Sequence, residues 1–97
     1  MKERILVVDD QRTNAEMVAG LLRNLGYQVD LAFDGGSALD RVRSAPPDLV
    51  ISDIMMPGMD GYELCRRLRA ADATALLPLV YRPSMRGKSM RGTHEPK

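Results

Sequence analysis

Residues 50–61 read VISDIMMPGMDG: an apolar run broken only by Ser52, then Asp53 alone, then a turn built on Met, Pro57 and Gly58. A continuous apolar run of this kind suits a strand covered on both faces, and such a strand rarely ends on a carboxylate without a reason. Pro57-Gly58 forces the chain to turn at once, and Asp60-Gly61-Tyr62-Glu63 then has the form of a capped helix start. The unit is therefore strand, acidic end, tight loop, helix.

The same unit recurs upstream. Ile5-Leu6-Val7-Val8 is a second short apolar run, and it ends on Asp9 and Asp10. Thr13-Asn14-Ala15-Glu16 matches a capping box, so a helix is expected to start there, with apolar residues at 15, 18, 22 and 25 on its buried side and Gly26 at its end. Val29 to Ala32 reads as a weaker strand carrying Asp30. A helix with Ala38, Leu39 and Val42 follows Gly35-Gly36 and stops at Pro46-Pro47, and Leu49-Val50-Ile51 is the third strand. The third helix carries Leu64, Cys65 and Leu68, and Leu76 to Tyr81 reads as a fourth strand. Strands alternating with helices predict an α/β domain with a doubly wound parallel sheet.

Composition narrows the function classes. A chain of 97 residues has room for one small domain, and no apolar run is long enough to cross a bilayer. The N-terminus, MKERILVVDD, is too charged and its apolar run too short for a secretory signal. The single cysteine, Cys65, offers neither an internal disulfide nor a metal cluster and reads as a small packing residue. A cytoplasmic location is expected. The net charge of +1 divides unevenly, with −3 over residues 1–81 and +4 over residues 82–97. Past Tyr81 there is no Leu, Ile, Val or aromatic residue, which predicts a domain over 1–81 and a basic, disordered tail over 82–97. Ser84-Met85-Arg86-Gly87 recurs as Ser89-Met90-Arg91-Gly92, but without aromatic residues to stack on bases no nucleic-acid partner is expected.

Ligands of doubly wound sheets collect beyond the carboxyl ends of the strands, which is where Asp9, Asp10 and Asp53 would meet. Three neighbouring anions repel one another unless a cation lies among them, and an all-oxygen set with few protein ligands suits Mg2+. A carboxylate beside Mg2+ can attack phosphorus, because the metal offsets the charge on the phosphoryl oxygens. The pattern points to an aspartyl-phosphate site.

These motifs carry a resemblance. ILVVDDQ at 5–11, LAFDGGSAL at 31–39, PDLVISDIMMPGMDGYEL at 47–64 and LPLV at 77–80 resemble the receiver domain of bacterial two-component response regulators. The resemblance implies a flavodoxin-like fold with Asp53 as phosphoacceptor and a histidine kinase as partner. It further implies Mg2+ held directly by Asp10 and Asp53, through water by Asp9, and by the backbone carbonyl of Met55. A receiver is not an enzyme beyond assisting its own phosphorylation and dephosphorylation. Where the family carries a Thr or Ser after the fourth strand this chain has Pro83, with Ser84 one residue on, and Lys88 comes too early for the family's lysine at the end of a fifth strand. The expectation is therefore a truncated or frameshifted receiver with sheet order 2-1-3-4, lacking the fifth strand and last helices, and a homodimer through the exposed Leu79-Val80-Tyr81 edge. A second reading is a receiver remnant acting only as a binding or dimerisation module. A third, a phosphatase resembling the haloacid dehalogenase family, would need Asp-x-Asp where Asp9 and Asp10 are adjacent.

Overall fold

The structure is a computed structural model that describes residues 3–83. The elements run β1 (Arg4–Val8), α1 (Arg12–Asn24), β2 (Gln28–Ala32), α2 (Gly35–Ser44), β3 (Leu49–Asp53), α3 (Gly61–Ala70) and β4 (Leu79–Arg82), with one 3-10 turn at Asp72–Thr74. All strand pairs are parallel, and among the described residues the sheet order is β2-β1-β3-β4. The doubly wound sheet expected from the alternating pattern is present. The basic repeat at 84–92 and the rest of the tail lie outside the described residues.

Strand alternation sorts the core into two layers. Ile5 and Val7 of β1 pack with Ala15, Ala19 and Val29 under α1. Leu6 and Val8 point the other way, into a cluster with Val42 of α2, Val50 of β3, and Leu64 and Leu68 of α3. Strands β1 and β3 thus lie between helical layers, which is why their sequences are near-continuously apolar, with Ser52 of β3 the buried polar exception before Asp53. Ile5 faces Val29 on one side and Leu49 on the other, and Val8 is level with both Ala32 and Ser52. Asp30, the acidic residue inside β2, is matched by the Arg4 guanidinium at 3.0 Å.

Three expectations are corrected. Helix α1 starts at Arg12 with Gln11 at its N-cap and no side-chain cap, so Thr13-Asn14-Ala15-Glu16 is not a capping box. Asp9 starts the turn instead: its Oδ1 accepts the Gln11 N–H at 2.9 Å, and the Gln11 carbonyl already receives Ala15 N–H at 3.0 Å. Leu25 lies at the end of α1 and is 73% exposed, and Ala19 takes the buried place in its stead. The fourth strand begins at Leu79 rather than Leu76, which is 94% exposed. Residues 72–77 are committed to the 3-10 turn and the bend after it, where Leu77 N–H donates to the Thr74 carbonyl, and Pro78 has no N–H to give a ladder.

Candidate functional site

At the carboxyl edge of the sheet, β1 and β3 end level with one another, since Val8 faces Ser52. The residues that come next, Asp9 and Asp10 after β1 and Asp53 closing β3, therefore meet. One carboxylate oxygen from each lies within 4.8 Å of the others. Asp9 and Asp53 are buried, at 0% and 1% exposure, while Asp10 is half-buried. The sequence placed all three correctly at one end of the sheet.

The loop after β3 explains its composition. Met56 is buried in the core layer under α2 and α3, and Met59 packs against the same cluster, so two of the three methionines anchor the loop. Met55 lies outward, at 37% exposure, and its N–H approaches Asp53 Oδ1 at 3.4 Å. Gly58 adopts φ +77°, a conformation only glycine enters without strain. Gly61 meets a tighter demand: its N–H donates to the Ile54 carbonyl at 2.9 Å, and a Cβ there would lie 2.5 Å from the Asp53 carbonyl oxygen. Asp60 caps α3 by accepting Glu63 N–H at 2.8 Å. The start of α3 is thereby pressed onto the backbone of the candidate phosphoacceptor.

Electrostatics set the character of the pocket. Burial pushes the Asp53 carboxyl above its ordinary range, and the Asp9 charge pushes it the same way; hydrogen bonds from the Met55 and Ile54 amides and the Arg82 charge oppose them without prevailing. A divalent cation placed among the three carboxylates would remove this repulsion. The donor set, all hard oxygen and partly open through Asp10, fits Mg2+.

One residue of the site was not foreseen. Strand β4 runs through Arg82, which stands directly opposite Asp53 in the β3–β4 register, and its Nη2 donates to Asp9 Oδ2. Charge counting grouped Arg82 with the basic tail. Extending the two-residue alternation of Val80 one step further would have placed it beside Asp53. Pro83 follows, exposed, at the position the resemblance assigns to a hydroxyl.

Beneath the site, Tyr81 lies edge-on to Tyr62 of α3, with ring centroids 4.9 Å apart. Burial, chiefly, and hydrogen bonding with Cys65 push the Tyr81 phenol up to about 12.

Comparisons with known proteins agree with this geometry. The family described as response regulator receiver domain matches residues 5–82. The chain is 46% identical over 80 residues to the DNA-binding response regulator MtrA of Mycobacterium tuberculosis (strain ATCC 25618 / H37Rv), a match covering 82% of this chain and 35% of that protein. Among solved structures, the N-terminal domain of a response regulator receiver protein from Methanoculleus marisnigri JR1 superposes with a TM-score of 0.80 at 34% identity, covering 94% of this chain and 77% of the other. The chemotaxis response regulator CheY4 of Vibrio cholerae gives 0.80 at 33% identity, covering 84% and 68%. The chain spans about a third of the length of the curated relatives it matches.

Proposed function

Because the chain belongs to the response regulator receiver domain family, we propose that it is the phosphoacceptor of a two-component relay, taking a phosphoryl group from a histidine kinase onto Asp53. The observation that carries this reading is the meeting of Asp9, Asp10 and Asp53 at the carboxyl edge of the sheet, with Asp53 buried at the end of β3. A carboxylate oxygen of Asp53 attacks phosphorus, an O–P bond forms as the N–P bond of a phosphohistidine breaks, and the imidazole leaves and is protonated by solvent. Asp10 and Asp53 would hold Mg2+, with Asp9 reaching it through water and the Met55 carbonyl completing the protein ligands. The ion supplies charge neutralisation at the phosphoryl oxygens. This chain's own part is to aim Asp53, through the Met55 amide and the close approach of Gly61, and to exclude water with the packed Met56 and Met59.

No helix among the described residues is long and apolar enough to cross a membrane, which is compatible with a cytoplasmic relay. Strand β4 stands at the edge of the described sheet with Val80 51% exposed, and a second copy of the chain is the proposed occupant of that edge.

The test is the intact mass of the purified chain after incubation with Mg2+ and a small acyl-phosphate donor. A phosphoryl adduct is expected in the wild type and not in Asp53→Asn; an adduct that persists in the variant would refute the assignment. A second reading, a receiver that binds partners without being phosphorylated, draws on Pro83, which has no hydroxyl to offer a phosphoryl oxygen. A folded wild type that takes up no label would favour it.

A further inference from the structure

Arg82 donates a hydrogen bond to Asp9, one of the three clustered carboxylates, and it comes from a strand rather than from a surface loop. Its side chain is 17% exposed and that of Asp9 is 0% exposed, so the pair is largely withdrawn from water, where screening is weak. The contact is fixed by the fold: β4 pairs with β3 so that Arg82 faces Asp53, and the guanidinium reaches across β3 to Asp9 at the end of β1. Asp9 is then engaged at both oxygens, Oδ1 by the Gln11 amide and Oδ2 by Arg82. A divalent ion entering the cluster meets a fixed positive charge and a carboxylate already in use.

Resting on the phosphoacceptor reading but going beyond it, we propose that Arg82 is a tethered cation of this site, holding Asp9 in place of a divalent ion and competing with that ion for the carboxylates. The guanidinium lowers the negative charge that the carboxylates present to an entering Mg2+ without abolishing it. Ion binding is therefore coupled to release of Arg82 from Asp9. Release would free the Arg82 side chain while its backbone stays paired with β3, so the metal-bound and metal-free chains differ in the placement of that guanidinium.

Two consequences follow from competition. The metal-free fold relies on Arg82 to offset the burial of Asp9, and Mg2+ can take over that task only by displacing it. Removing the guanidinium should weaken the metal-free chain and tighten ion binding together, a pairing that a purely structural ion pair would not give.

The experiment is a calorimetric titration of MgCl2 into wild type, Arg82→Gln and Arg82→Lys, with melting curves in chelator and in excess Mg2+. Arg82→Gln keeps a donor for Asp9 without the charge and should bind Mg2+ about tenfold more tightly than wild type, because a fixed cation next to the ion is removed. It should also melt lower in chelator and gain more from Mg2+. Arg82→Lys keeps the charge and should stay near wild type in affinity. If Arg82→Gln is unfolded in chelator, recovery of the fold as Mg2+ is added supports the proposal, and a chain that stays unfolded at every Mg2+ concentration overturns it. Equal or weaker Mg2+ binding by folded Arg82→Gln also overturns it, and would leave phosphorylation of Asp53 untouched. Absence of Mg2+ binding in all three folded chains would overturn both.

Discussion

Asp53 ends β3 because its neighbours on either side need opposite things. Val50 packs into the core layer beneath α2 and α3, while the chain just past Asp53 must bend so that Met56 can return to that layer. The carboxylate is left facing Asp9, buried and repelled, a condition relieved by any cation that joins the pair. Tyr81 shows the same dependence of chemistry on position. Its phenol is raised to about 12, first by burial and then by Cys65, and a raised phenol contributes stability that is fully present below the unfolded value near 10 and is lost as pH climbs through 12. Absorbance titration should reveal one tyrosine ionising near pH 12 as the fold weakens, and Tyr81→Phe should remove that late step. A titration unchanged by the substitution would mean that Tyr81 is not held as described. The three aspartates were legible in the sequence because they cluster at the ends of two apolar strands, Asp9 and Asp10 after Ile5–Val8 and Asp53 after Val50-Ile51-Ser52. Arg82 was not, because its charge matched the tail while its position belonged to the strand.

Among the elements, helix α3 depends most on one side-chain-free position. Gly61 brings the first turn against the Asp53 carbonyl, which is backbone and cannot move aside. Gly61→Ala should destabilise the chain by about 1–3 kcal/mol, the usual cost of overpacking. Because the displaced atoms belong to residues 53 and 54, it should also slow phosphoryl uptake. Denaturant unfolding and the rate of adduct formation read the two effects, and wild-type values for both would contradict the close approach. Element types followed from hydrophobic period, but two boundaries did not. The Thr13–Glu16 pattern mimics a cap, yet Asp9 takes the Gln11 amide and starts α1 earlier. Leu76 and Leu77 look like strand, yet Thr74 donates its hydroxyl to the Leu68 carbonyl at 2.5 Å and ties the segment back to α3. Both contacts are tertiary or turn-specific, and local pattern does not contain them.

For the molecule as a unit, α1 covers one face of the sheet and α2 with α3 the other, so parallel order could be read from alternation alone. The order β2-β1-β3-β4 required the family resemblance, because right-handed crossovers permit more than one arrangement. In that order β4 has one partner among the described strands, and the proposed second copy would pair along it. Light scattering across a concentration series should give a mass rising from one chain towards two, and Val80→Lys should hold it at one. A wild type that stays monomeric at high concentration would remove the dimer from the account.

The central claim is that phosphoryl goes to the carboxylate of residue 53, and borohydride trapping tests it most directly. Reduction of an aspartyl phosphate converts that aspartate to homoserine, which peptide mass mapping locates. After incubation with Mg2+ and an acyl-phosphate donor, homoserine is expected at position 53 and at neither position 9 nor position 10. Conversion at another aspartate, or none in a folded chain, would contradict the account.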